Sequence, residues 1–272
     1  MALRNGHRSL RRHTTPNPRP GQRSPPPDNS PVGGASIPQT CLASEVRRAV
    51  PSPQDPRLPL RLDQGQVAEL RHDLAVNETE LAGVSLVDQR AHGVMFAAVK
   101  LSSVDLSGSN LEHLRITDGA LRQCNLANLQ AHRASLTRVT IEGSRMTGLA
   151  VPEAALRDLT LRDCRIDLAS FGFSRLERVT FEDWLLQQTD FLEAQLDAVR
   201  FYRCDLTRAD FRGARLKRCE FRRSNLTGLE GVESLRGAAM EWPDIVEMAG
   251  VWAAALGIEI LEADGPGQTS PL

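Results

Sequence analysis

From residue 81 to residue 226 every fifth position carries an apolar side chain. The pattern is sharpest from Phe181 to Leu226, where Phe181, Leu186, Phe191, Leu196, Phe201, Leu206, Phe211, Leu216, Phe221 and Leu226 alternate. Neither the 3.6-residue period of a helix nor the two-residue period of a strand produces this spacing. The register holds without insertion for thirty positions, all Leu, Phe, Ile, Met or Val except Ala91 and Ala131. Two residues before each centre, 24 of the thirty are Ala, Val, Ser, Thr, Cys or Gly, and the flanking positions are mostly polar. Each unit therefore reads small–polar–large–polar–polar, with two inward side chains.

Such a unit is one side of a square coil. The large residue fills the axis and the small one fits beside the corner. Four sides make a coil, and coils stack through backbone hydrogen bonds at about 4.8 Å. The Phe/Leu alternation supports four sides, because it places Phe181, Phe201 and Phe221 on one face and Leu186, Leu206 and Leu226 on the next. The expected fold is all-β: a quadrilateral parallel β-helix of about seven coils over residues 81–230, roughly 36 Å long at strand spacing. A single coil is marginal. A buried Leu or Phe contributes about 1.5–3 kcal/mol, while ordering each residue costs about 1–2 kcal/mol. Stability must come from stacking and from closed ends.

The flanks predict the closures. Residues 57–80 read as an N-terminal cap. Leu58, Leu60 and Leu62 alternate as in a short strand, Asp63 and Gln66 form a capping box, and Val67, Leu70 and Leu74 share a helical face. Past Leu226 the register slips at Leu229, Val232, Leu235 and Met240. Pro243 suits a first helical turn. Ile245, Met248, Trp252 and Leu256 then keep helical spacing, and Gly257 is placed to stop the helix. Residues 231–262 are thus a C-terminal cap or dimerisation helix, and 263–272 a frayed tail. Residues 1–56, rich in Pro and Arg, bury too little apolar surface to order and read as a disordered tail.

Composition narrows the chemistry. Net charge is −1, so no global excess points to nucleic acid. Six Arg lie between Arg4 and Arg23 with no acid among them. This stretch is either a solvated tail or a contact for nucleic acid or an acidic surface. The five Cys form no CxxC pair, which fits reduced thiols in a cytoplasmic protein. Cys124, Cys164, Cys204 and Cys219 occupy the small inward position and read as core fillers. Trp184 takes that same position and is expected to distort its corner or turn outward. No apolar run reaches the roughly 18 residues of a membrane span.

No nucleophile–base arrangement, phosphate-binding loop or paired-carboxylate motif is present, so neither an enzyme nor a cofactor is expected. His92, Glu112 and His132, with His113 adjacent, make the one column where a metal could find ligands; the alternative is polar surface, and no metal is assigned. The charged columns alternate in sign, as in Arg122, Glu142, Arg162, Glu182 and in Asp118, Arg138, Asp158, Arg178. Neighbouring coils can therefore pair their charges. Residues 200–223 lean the other way, with nine basic residues against Asp205, Asp210 and Glu220. Lys217, Arg218, Arg222 and Arg223 form a candidate basic patch there. Tyr202 alone interleaves as an exposed-type aromatic, so no base-stacking platform forms and direct nucleic-acid binding is not expected.

The triplets Ala209-Asp210-Phe211, Ser224-Asn225-Leu226, Cys124-Asn125-Leu126 and Cys204-Asp205-Leu206 resemble the A(D/N)LxX motif of the pentapeptide-repeat family. The resemblance covers residues 81–226 and implies that family's right-handed quadrilateral β-helix. Its best-known members protect DNA gyrase from quinolones or related toxins and are thought to imitate duplex DNA. In several of them a C-terminal helical segment builds a dimer. The resemblance therefore implies a protein partner such as DNA gyrase or topoisomerase IV, tolerance to topoisomerase poisons, and a homodimer through Ile245, Met248, Trp252 and Leu256. A general interaction scaffold with another partner is the alternative. Imitation of DNA needs a continuous acidic face, and the alternating columns do not provide one.

Overall fold

A side of five residues holds only two or three extended residues before the chain must turn. The computed structural model, which describes residues 49–261, shows how the turns are made. All four sides pair in parallel with the coil twenty residues on, as in Leu156 with Leu176, Leu161 with Phe181, Arg165 with Leu185 and Ser170 with Asp190. Two adjacent sides run together into strands such as Arg115–Arg122, Ser135–Glu142, Ala155–Arg162 and Arg175–Glu182. The other two sides are mostly single bridges. The corner inside each long strand is left-handed, with φ of 56° at Asp118, 53° at Arg138, 56° at Asp158 and 52° at Arg178. That conformation costs an L-residue roughly 1–2 kcal/mol. It is offset by coil-to-coil hydrogen bonds on either side, such as Gln123 N–H to Glu142 O at 2.9 Å.

Pairing on one side runs unbroken from Gln64 to Ala239 in about nine steps. The rod therefore has about nine turns rather than seven, or about 43 Å at strand spacing. Two things hid the extra turns. Val76 extends the register one unit below Leu81 and pairs with Phe96. The end segments also pair off-period, Asp63 with Thr79 and Glu220 with Ala239, so a strict five-residue count misses them.

The interior changes character along the axis. Above Phe171 two ring stacks face each other. Phe181 and Phe201 lie 5.1 Å apart, Phe201 and Phe221 4.8 Å, and Phe191 and Phe211 4.7 Å. Across the coil the rings meet edge-on, as Phe191 and Phe201 do at 5.8 Å and 85°. Below Phe171 the centres are Leu, Ile, Met and Val apart from Ala91, Phe96 and Ala131, and an apolar cavity of about 50 Å³ is lined by residues including Leu106, Ile141, Met146, Leu161 and Phe171.

Trp184 neither distorts its corner nor turns outward. It is 1% exposed, and its coil keeps the bridges of its neighbours. The residues above and below it in the same column are Cys204 and Cys164, which leave room for the indole, and Phe181 meets it edge-on at 5.4 Å.

The N-terminal cap differs from expectation. Residues 57–62 form no strand, and no helix follows. Pro59 removes one ladder donor, and the Arg57 N–H is taken by Asp118 at 2.9 Å. Asp63–Gln64 makes the short strand instead. The backbone that follows bonds to the first coils rather than to itself: Gly65 N–H to Glu80 O at 3.0 Å, Asp73 N–H to His92 O at 2.8 Å. Leu70 is buried and Val67 and Leu74 pack against the core, so the apolar residues close the rod without a helix. The boundary at residue 56 also moves. Val50 is buried at 7% exposure, and residues 50–57 lie along the rod as an ordered strap. The basic Arg4–Arg23 segment, Cys41 and the tail at 263–272 lie outside the described residues.

At the other end the helix forms in two pieces, α1 (Trp242–Glu247) and α2 (Ala249–Ala255), meeting at Met248. Pro243 sits in the first turn of α1, and Gly257, at φ 70°, ends α2.

Candidate functional site

Four features of the rod could carry function: the charged faces, the thiols, the histidine column and the C-terminal end. The charged faces pair internally, coil to coil. Arg138 grips Asp118 through both nitrogens at 2.6 Å, and Arg178 grips Asp158 at 2.6 and 2.8 Å. Arg122 meets Glu142 at 3.2 Å and Arg162 meets Glu182 at 3.3 Å. The Arg138 hydrogen bonds hold the Asp118 carboxyl below the usual carboxylate range. Burial pushes Asp158 up, but the Arg178 hydrogen bonds, the Gln54 amide and the nearby positive charge outweigh it and leave it lowered.

The candidate basic patch is partly paired in the same way. Arg218 donates twice to Asp197 at 2.9 and 2.6 Å, and Lys217 lies 3.6 Å from the same carboxylate. Arg222 meets Glu220 at 3.2 Å and Arg223 meets Glu241 at 4.0 Å. The structure thus brings the four residues to one end of the rod, where they share three acids and keep a net positive charge. Sequence spacing counted three acids in residues 200–223 and missed two partners from outside it, Asp197 one coil below and Glu241 beside the helix.

Cys124, Cys164, Cys204 and Cys219 are buried free thiols. Burial pushes Cys164 and Cys219 up to about 11 and Cys204 to about 12. None is poised as a nucleophile, since the thiolate is the reactive form. The histidine column does not assemble. His92 stacks edge-on with His113 at 4.8 Å, while His132 turns away to Glu153 at 3.0 Å. Among the described residues no three His, Cys, Asp or Glu side chains converge on one point.

The small column did hold information beyond size. Its polar atoms bond the carbonyl 23 residues back: Ser109 to Leu86 at 2.9 Å, Ser174 to Val151 at 2.8 Å and Ser224 to Phe201 at 3.3 Å. The recurrence of Ser and Cys at these positions was the available signal.

Comparison with known proteins agrees with this geometry. Residues 114–188 and 168–230 match the family model for a pentapeptide repeat region. This part of the chain is a pentapeptide-repeat region. No curated protein matches it by sequence. Among solved structures, the chain is similar to trypsin-treated QnrB1, a plasmid-mediated fluoroquinolone resistance protein. That match has 15% identity and a TM-score of 0.40 and covers 70% of this chain and 100% of the other. It is also similar to HetL from the cyanobacterium Nostoc sp. strain PCC 7120, a pentapeptide repeat protein involved in heterocyst differentiation regulation. Here the identity is 18% and the TM-score 0.31, with 62% of this chain and 90% of that chain covered.

The C-terminal end of the repeat is its least self-satisfied part. The four candidate interface residues divide. Met248 is 4% exposed in the core and Trp252 packs against it half-buried, so these two plug the last coil. Asp244 ties α1 down by accepting the Arg223 N–H at 3.0 Å. Ile245 and Leu256 face outward at 38% and 75% exposure, together with Trp242 at 59% and Val246 at 55%. The buried indole N–H of Trp252 finds no acceptor among the described residues. No helix of the described residues is long and apolar enough to cross a membrane.

Proposed function

We propose that the protein is a non-enzymatic rod that acts by binding protein, and that it assembles through its apolar C-terminal end. One observation carries this reading. Trp242, Ile245, Val246 and Leu256 are exposed within residues 242–256, followed by exposed Ile258, Ile260 and Leu261, a denser run of large apolar side chains than on the rod faces, where Leu168, Phe173 and Leu185 stand among charge pairs. Contiguous exposed apolar surface marks interaction sites, and an aromatic anchor beside aliphatic residues is the usual centre of one. A second copy of the chain is the proposed occupant, making a homodimer.

The finer form of the reading is a cytoplasmic factor that binds DNA gyrase or topoisomerase IV and gives tolerance to topoisomerase poisons. The pentapeptide-repeat region matched over residues 114–230 supports it. The paired columns argue against imitation of duplex DNA by one rod, so any such contact would be made by the assembled dimer. An interaction scaffold with a different protein partner is the second reading, and the self-neutralised faces favour it. A gyrase supercoiling assay with and without a quinolone separates them. Protection or inhibition that is lost in Ile245→Asp supports the topoisomerase form. No effect at micromolar protein rejects that form and leaves the scaffold.

A further inference from the structure

The strap at residues 50–57 has the sequence VPSPQDPR, with Pro51, Pro53 and Pro56 distributed through it. It has no strand partner of its own. Its backbone is held by the corner column instead. Gln54 N–H donates to Asp158 Oδ1 at 3.1 Å, and Arg57 N–H donates to Asp118 Oδ1 at 2.9 Å. Arg200 completes the row, donating to Ser52 Oγ at 3.2 Å and to the Val50 carbonyl.

The spacing of these contacts is informative. Asp118 and Asp158 lie two coils apart, which is about 9.6 Å at strand spacing. Three residues of polyproline II rise about 9.3 Å. An extended, proline-punctuated segment therefore presents one N–H per two coils, in step with alternate members of the column. The acceptors are held by the rod itself: Arg178 grips Asp158 in a fork, and Arg138 grips Asp118 in the same way. Each intervening arginine orients a carboxylate and leaves it able to accept a further N–H. Both contacts from the carboxylates are to backbone, so the column reads conformation and spacing rather than side chains.

We infer that this corner is a binding site for extended, proline-punctuated peptide, and that residues 50–57 are its occupant in cis. The inference is independent of any topoisomerase role. A partner presenting a segment of this class gains the site only by displacing the strap. The tether makes that difficult, because a short linker holds its own segment at an effective concentration of roughly millimolar.

Two measurements test this. In the wild-type chain, hydrogen exchange at Gln54 and Arg57 is expected to be slower than at Asp55 by about tenfold or more, since each tenfold corresponds to one decade in the opening equilibrium. The second uses the full chain with residues 50–57 replaced by Gly and Ser, and a labelled peptide of residues 49–58 as probe in fluorescence anisotropy. The peptide is expected to bind this chain saturably with a Kd of about 0.1 mM, and to bind the wild-type chain about tenfold more weakly, because the strap tethered at about 1 mM competes with it. A Gln54→Ala peptide keeps binding, because the N–H remains. A Gln54→Pro peptide loses it by about tenfold or more, because only the donor and side chain are removed from an already extended segment. Equal binding by the Gln54→Pro peptide, or no binding to a replaced chain that melts normally, overturns the proposal. If the replaced chain does not fold, unprotected Gln54 and Arg57 amides in the wild type overturn it equally.

Discussion

The indole Nε1 of Trp184 donates to the backbone carbonyl of Leu161 at 3.0 Å. The 23-residue step is the one used by Cys204 Sγ to Phe181 O at 3.5 Å and by Ser224 Oγ to Phe201 O at 3.3 Å. Trp184 therefore does the work of a serine in this column while also filling the axis. Trp184→Ala should cost about 3–5 kcal/mol, the usual range for a large aromatic lost from a core. Trp184→Phe keeps much of the volume but leaves the carbonyl unmet, and should cost about 1–3 kcal/mol. Denaturant unfolding of the three proteins measures the order.

Leu161 lies one coil below Phe181 in the same column and lines the cavity of about 50 Å³. Leu161→Phe should extend the ring stack into that space and raise stability by about 0.5–2 kcal/mol, as cavity-filling changes do. A lowered melting temperature would mean that the cavity cannot accept the ring without strain.

The ring stacks were legible in the sequence because the five-residue register is set by a repeating backbone, and every coil repeats the same problem. Phe181, Phe201 and Phe221 could be stacked from spacing alone, and so could the pairing of Arg122 with Glu142. The ends were less legible because they break the repeat. Val67, Leu70 and Leu74 carry helical spacing, but their backbone has a ready edge to bond, and long-range pairing outcompeted a short helix. Leu58, Leu60 and Leu62 alternate like a strand, yet Leu60 is fully exposed; prolines around them set an extended strap instead. Of the interface candidates, helical spacing found Ile245, Met248, Trp252 and Leu256 but could not say which face the last coil would claim. The answer depended on how α1 and α2 dock, which Asp244 and Met248 decide.

Buried and exposed charge pairs should behave differently. Asp158 has only 3% of its side chain exposed, and Arg178 22%. Arg178→Ala leaves a buried carboxylate with its main partner gone and should cost about 3–5 kcal/mol. Arg122, 59% exposed against Glu142, should cost no more than about 1 kcal/mol when replaced by Ala. Thermal melts at matched salt separate the two.

Acid and alkali should act on different groups. The Asp118 and Asp158 carboxyls are held below their ordinary range, so the stability they contribute is present above the unfolded value of about 3.9 and is lost as pH falls through the lowered values. The thiols run the opposite way. Cys204 is raised to about 12, so its contribution is complete below the unfolded value of about 8.5 and is lost as pH climbs from there toward 12. In native protein at neutral pH, Cys124, Cys164, Cys204 and Cys219 should resist a thiol reagent and react fully after denaturation. Peptide mass spectrometry assigns the labelled sites, and rapid native labelling of Cys204 would contradict its burial.

Sedimentation equilibrium of the full chain decides whether the apolar C-terminal end is an assembly surface. A wild-type dimer at micromolar concentration should fall to half its mass in the double variant Ile245→Asp, Leu256→Asp, which keeps the wild-type circular dichroism spectrum because neither side chain is in the core. A wild-type protein that is already monomeric, or a variant that stays dimeric, would contradict assembly through this end.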